Sequence, residues 1–267
     1  MHHTVITKRR DPFSFKLLGL LFALEWIPGY HYINPYTKPG NWDSVFLPTY
    51  DRIKLPQDTP QPIVLLENLI KKAKSRILLH KCECRALLSC KNHSEDLSCM
   101  FLGNADTDIP EKYGRKVSEA EALERVKKAQ DDKGLIPYVG RTTMDNSYFG
   151  VTSGVRFLAV CFCCSCCCCM RYSKYMPAYL RRKGVYRFLD GLTIKVDPEK
   201  CIGCGKCKEE CFVSAIKMKK GKALIGKGCA GCGRCAMACP EGAIEISIDD
   251  PLYIEKAQKR YEELCEL

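Results

Sequence analysis

One cysteine spacing occurs twice in this sequence, as "CIGCGKCKEEC" at residues 201–211 and "CAGCGRCAMAC" at residues 229–239. Each run reads C-x2-C-x2-C-x3-C. The first supplies Cys201, Cys204, Cys207 and Cys211, and the second Cys229, Cys232, Cys235 and Cys239. Two-residue gaps let the backbone wrap around a compact metal centre, and the interleaved glycines let backbone N–H groups approach its sulfurs. A pair of zinc ribbons built from CxxC elements fits poorly, because zinc takes four ligands and runs of this kind overfit it.

The repeat resembles that of bacterial dicluster ferredoxins. That resemblance implies two [4Fe–4S] clusters with crossed ligation: Cys239 joins Cys201, Cys204 and Cys207, while Cys211 joins Cys229, Cys232 and Cys235. It also implies that "LTIKVDPEK" and "GAIEISI", on either side of the repeat, pair as strands. One position departs from the pattern: Pro240 follows the second run, but Phe212 stands at the matching place after the first.

Twelve of the twenty cysteines lie outside the repeat. Cys82, Cys84, Cys90 and Cys99 come first, and Cys265 is last. Between them "CFCCSCCCC" puts Cys161, Cys163, Cys164, Cys166, Cys167, Cys168 and Cys169 into nine positions. Disulfides do not explain the run, since adjacent cysteines cannot meet the separation and aim that the bond requires. Thiols spaced as metal ligands must stay reduced, which predicts an intracellular, cytoplasmic and anaerobic setting. "CECRALLSCKNHSEDLSC" followed by "CFCCSCCCCMR" resembles a group of dicluster ferredoxin-like proteins of anaerobes. Those carry CxCR, two further cysteines and CxCCxCCC ahead of a ferredoxin repeat. The resemblance covers about residues 62–245, departs at Ser165 and Cys169, and implies clusters and electron transfer without naming a reaction.

If the run is extended, alternate side chains face opposite ways. Cys161, Cys163, Cys167 and Cys169 then share one side, and Cys164, Cys166 and Cys168 the other. One cubane cannot collect both sides, so the expectation is two further iron–sulfur clusters, completed by Cys82, Cys84, Cys90 and Cys99. A single extra cluster, a noncubane assembly on adjacent cysteines, and zinc at Cys82, Cys84, Cys90 and Cys99 with His93 are the alternatives. Cys265 reads as a small core residue.

The rest of the chain sets the boundaries. Residues 1–61 read as an extension, irregular where residues 28–62 hold seven of the fourteen prolines among aromatic residues. Residues 62–190 form a cysteine-rich α+β domain, 191–248 the ferredoxin-like domain and 249–267 a C-terminal helix. "PIVLLENLIKKAKSRILLH" reads as one amphipathic helix, and Ser118 with Glu121 as the capping box of another that ends near Gly134. Residues 151–160 read as a strand feeding the cysteine run. Lys8, Arg9 and Arg10 precede the apolar "LLGLLFAL", but Glu25 and Pro28 interrupt it before any cleavage signal. At about twelve residues it is too short to span a bilayer. A buried helix is expected, with a docking or membrane-surface helix as the alternative. His2 and His3 read as a mobile terminus.

The formal charge of +11 counts cysteines as neutral. A four-thiolate cubane carries about −2, so four of them would leave the chain near ~+3. The basic balance therefore does not argue for nucleic acid. "RYSKYMPAYLRRKGVYRF" holds six basic residues and no acid, and reads as counter-charge for the clusters or as a docking patch for an acidic partner. No dinucleotide fingerprint, P-loop or haem-attachment motif is present. The reading is an α+β iron–sulfur protein that relays single electrons from a low-potential donor to a partner redox enzyme. The rival classes are a reductase whose site-differentiated or noncubane cluster binds substrate, and a scaffold that assembles or delivers clusters.

Overall fold

Short apolar stretches between residues 42 and 187, most of them buried on both faces, assemble in the computed structural model into one seven-stranded sheet. The described residues are 13–48, 53–103, 109–151 and 156–267. The strands are β1 (Trp42–Phe46), β2 (Ser75–Leu79), β3 (Met100–Gly103), β4 (Gly114–Lys116), β5 (Ile136–Thr142), β6 (Leu158–Cys163) and β7 (Tyr186–Arg187). Their order is β4-β2-β3-β6-β5-β1-β7, antiparallel except where β7 joins β1. Leu78, Met100, Leu102, Leu158 and Val160 belong to the main core, which includes the buried residues of helices Ile63–Lys72 and Glu119–Asp131. Ile77, Leu79, Phe101 and Ala159, one position out of phase, pack with Phe149 and Phe157 in a second cluster.

The cysteine repeat contributes β8 (Leu192–Val196), β9 (Ile216–Lys219), β10 (Lys222–Ile225) and β11 (Ile244–Ile248). β8 and β11 pair antiparallel, with Ile194 opposite Ile246. β9 and β10 form a hairpin whose two-residue turn, Lys220-Gly221, has positive φ at both positions, matching the twist of the strands.

The predicted helix over residues 62–80 stops at Lys72. Ala73 is extended and Ser75–Leu79 form β2. Arg76 explains the break: its guanidinium donates to the carbonyls of Ile70 (2.7 Å) and Lys71 (3.1 Å), satisfying acceptors that a continuing helix would have used. Pairing with β3 and β4 then buries Ile77 and Leu79 on one side and Leu78 on the other. Ser118 accepts from the Glu121 N–H and caps Glu119–Asp131, but the Glu121 carboxylate pairs with Arg115, so only half of the expected capping box forms. The strand before the run starts later than predicted and continues through Cys161 and Cys163, while residues 152–155 lie outside the described set.

The extension is not irregular throughout. Turns and short 3-10 segments fill much of residues 24–41, but β1 lies between β5 and β7 with Trp42, Val45 and Phe46 buried. Burial of such side chains is worth about 1.5–3 kcal/mol each, enough to outweigh the poor strand context of the flanking prolines. Lys54 then bonds β11 in both directions, to Ile246 and Ile248. The extension thus enters the large sheet and also touches the small one. The C-terminal helix Tyr253–Leu264 packs on helix Ile63–Lys72, and Tyr261 bonds the Val139 carbonyl.

Helix Phe13–Ala23 buries Phe22 against Trp42 and exposes Leu17 and Leu20, so it is buried on one side only. Its inner side rests on the segment after the cysteine run. Gly19 permits this, because a Cβ there would meet the Tyr172 ring at 3.2 Å. Among the described residues no helix is long and apolar enough to cross a membrane. His2, His3, Lys8, Arg9 and Arg10 lie outside the described residues.

Candidate metal centres

All twenty cysteines are free thiols. In the repeat, each C-x2-C turn is held by a glycine in the left-handed region. Gly203 (φ +74°) packs so closely on the Gly221 carbonyl that no Cβ would fit, and a Cβ at Gly231 (φ +75°) would meet the Phe188 ring at 2.7 Å. With the chain so turned, backbone N–H groups point at the sulfurs. Ala215 N donates to Cys211 Sγ and Ala243 N to Cys239 Sγ, both at 3.2 Å, and Gly231 N lies 3.5 Å from Cys229 Sγ. N–H bonds from Ala223 and Gly203 favour the thiolate of Cys201 and lower its pKa.

The two groups of four are crossed in space. Cys239 lines one concavity with Cys201, Cys204 and Cys207, beside Pro240 and Ile244. Cys211 lies within electrostatic range of Cys229, Cys232 and Cys235. Four converging thiols with N–H donors aimed at their sulfurs fit a [4Fe–4S] cluster in each group. The environments differ. Cys204 is exposed, whereas burial pushes Cys232 up to about 12 and also raises Cys235.

The eleven cysteines upstream fall into two other groups. The run does not stay extended beyond β6: residues 165–167 form a turn, which defeats the alternation expected from the sequence. Cys164, Cys166 and Cys167 converge with Cys90, and their four Sγ atoms all lie within 4.8 Å of one another. The remaining seven make a chain of thiol contacts. Cys161 meets Cys99, Cys99 meets Cys82, Cys82 meets Cys84, and Cys84 meets Cys169. Cys169 meets Cys168, whose Sγ lies 3.2 Å from Cys163 Sγ. Contacts from Cys84 and Cys99, with the Arg85 charge adding to them, favour the thiolate of Cys82 and lower its pKa, and contacts from Cys163 and Cys169 do the same for Cys168.

Cys82, Cys84, Cys90 and Cys99 do not form one zinc site. Cys90 faces the turn of the run, the other three face β6 and Cys169, and His93 Nδ1 is engaged by Asp132 at 2.9 Å. Cys265 is buried with only a weak contact to the Phe157 carbonyl, and burial raises it to about 12.

Residues 194–217 match the 4Fe-4S binding domain family. The chain is also similar to Ferredoxin-2 of Desulfomicrobium norvegicum, 44% identical over 34 residues, which span 13% of this chain and 58% of that ferredoxin. The stretch that matches, residues 194–217, holds the first cysteine run and is iron–sulfur, ferredoxin-like in sequence.

Three arginines next to the thiols were not singled out as site residues by the spacing of the cysteines. Arg85 is buried, donates to the carbonyls of Ser94 and Leu97 (both 2.9 Å) and of Phe162, and lies beside Cys82, Cys99 and Cys164. Its position directly after "CEC" was the available signal. Arg234, in the second ferredoxin-like run, is buried and reaches the Cys163 carbonyl. Arg181 bonds the Val213 carbonyl and faces Cys211 and Cys229. Several side chains of the basic segment thus turn inward or pair locally: Arg182 stacks on Phe188, and Arg187 pairs with Asp43 at 2.8 Å. Phe212 packs edge-on against Phe46 (5.2 Å) and also meets Tyr186, so the departure from proline there joins the ferredoxin-like region to the large sheet.

Proposed function

We propose that this chain is a multi-cluster electron carrier that accepts single electrons at its surface and passes them inward to the cysteine-rich sheet. The observation that carries the reading is Arg234: it stands between Cys232 and Cys235 and donates to the carbonyl of Cys163, so one side chain joins the second ferredoxin-like site to the upstream thiols. When bound, a [4Fe–4S] cluster exchanges one electron at a time. The residues around each site set what that exchange costs. Buried guanidinium groups at Arg181 and Arg234 favour extra negative charge at the second site, and Arg85 does the same at the upstream thiols.

Exposure supports an entry point at the first site. Cys204 and Ile202 are exposed there, and Lys206, Lys208, Lys217, Lys219 and Lys222 are exposed on the surrounding elements. Such a surface suits an acidic redox partner, since complementary charge speeds encounter. The upstream thiols, with Cys82, Cys163 and Cys168 buried, are the inner station.

Anaerobic iron and sulfide analysis with EPR tests the proposal. The expected result is clearly more than about eight irons per chain, with spectra of reduced protein showing interacting paramagnets. Iron at or below about eight, or clusters upstream that stay oxidised when the repeat is reduced, would refute the relay. A substrate-dependent EPR change would favour a reductase, and ready transfer of iron to an apo-acceptor would favour a scaffold.

A further inference from the structure

We infer that Cys90, Cys164, Cys166 and Cys167 hold a single zinc ion in a closed tetrahedral site, separate from any iron–sulfur cluster. The spacing carries the argument. Zinc binds thiolate at about 2.3 Å, and tetrahedral geometry then puts ligand sulfurs about 3.8 Å apart. Here all four Sγ atoms lie within 4.8 Å of one another, and Cys90 Sγ is 3.6 Å from Cys166 Sγ. A cubane attaches each thiolate to a different iron and spreads its ligands more widely. The structure contains its own comparison: among the described residues, neither four-cysteine set of the ferredoxin-like repeat forms a group this compact.

The local chain builds the site. Cys164 follows the end of β6, and the turn at residues 165–167 brings Cys166 and Cys167 to the same side as Cys164. Arg171 donates to the Cys166 carbonyl at 2.8 Å and fixes that turn. On the other segment Ser89 takes a positive φ (42°), and Cys90 N bonds the Arg85 carbonyl at 2.9 Å. Four thiolates on a divalent ion leave a net charge of −2, and the Arg85 guanidinium lies against Cys164.

Four protein ligands leave no open position, so the role is structural. The ion ties residue 90 to the run some seventy residues later, and its binding energy becomes folding energy for that junction. Seven thiols, from Cys82, Cys84, Cys99, Cys161, Cys163, Cys168 and Cys169, then remain for one upstream cluster rather than eleven for two.

The test is elemental analysis and zinc-edge X-ray absorption on the full chain, purified anaerobically, beside Cys90→Ser and Cys166→Ser. The expected result is about one zinc per chain with four sulfurs at about 2.3 Å and no metal–metal shell. Each serine variant should lose more than about three-quarters of the zinc and keep its iron within about a tenth. Zinc absent from the parent, or bound by fewer than four sulfurs, overturns the assignment without any variant having to fold. Loss of about four irons together from either variant would place a cluster there and also overturn it. The iron count that tests the relay is read separately, so either proposal can fail alone.

Discussion

Arg85→Met removes a buried cation that faces both upstream thiol groups. In the native fold its guanidinium satisfies the carbonyls of Ser94, Leu97 and Phe162 and lies beside Cys82, Cys99 and Cys164. Methionine fills much of the volume, so a cavity is a small part of the cost. The buried Phe162 carbonyl loses its donor, at about 1–3 kcal/mol before relaxation, while water can replace part of what the carbonyls of Ser94 and Leu97 lose. Removing one partner from a buried charged arrangement costs about 3–5 kcal/mol, and we take that range as the estimate. For a chain of this size each kcal/mol moves the melting midpoint by about 2–4 °C, so a fall of about 6–20 °C is expected. Arg85→Lys keeps the charge but not the three-way fork. It should restore most of the metal content while recovering only part of the midpoint. The assay is calorimetry on anaerobic holoprotein with iron and zinc measured on the same samples. Arg85→Met melting within about 2 °C of the parent with undiminished metal would refute the counter-charge role.

Cys239→Ser should remove most of the cluster held with Cys201, Cys204 and Cys207, seen as loss of one EPR species, and spare the other. Loss of the site built on Cys229, Cys232 and Cys235 instead would contradict the crossed geometry. Cys265→Ala should cost about 1 kcal/mol by denaturant titration and leave metal content unchanged, because its thiol is buried away from both upstream groups. A fall in iron or zinc would show that it is a ligand.

The repeat was legible in the sequence because its chemistry is local. Cys201, Cys204 and Cys207 are fixed relative to one another by two-residue gaps and by Gly203, so spacing alone describes their turn. The N-cap at Ser118 was legible for the same reason, because it depends on a short motif, whereas the pairing of β8 with β11 was implied by the resemblance to dicluster ferredoxins. The sequence also argued against disulfides within the run at residues 161–169, since neighbouring cysteines cannot bridge one another, and all seven are free in the fold.

Tertiary structure decided how the remaining sulfurs are shared. Alternation is a property of extended chain, and it ends where the run turns, which sends Cys167 to the side of Cys164 and Cys166. Cys90 parts from Cys82, Cys84 and Cys99 because a short helix and the positive φ of Ser89 intervene. β1 joins the sheet through partners at residues 138–142 and 186–187, far away in sequence, which composition cannot foresee. Arg85, Arg181 and Arg234 meet distant cysteines only through folding, over the seventy-nine positions from Arg85 to Cys164 and the seventy-one from Cys163 to Arg234. Spacing fixes which cysteines a turn can gather, but only the packed sheet determines which turns meet.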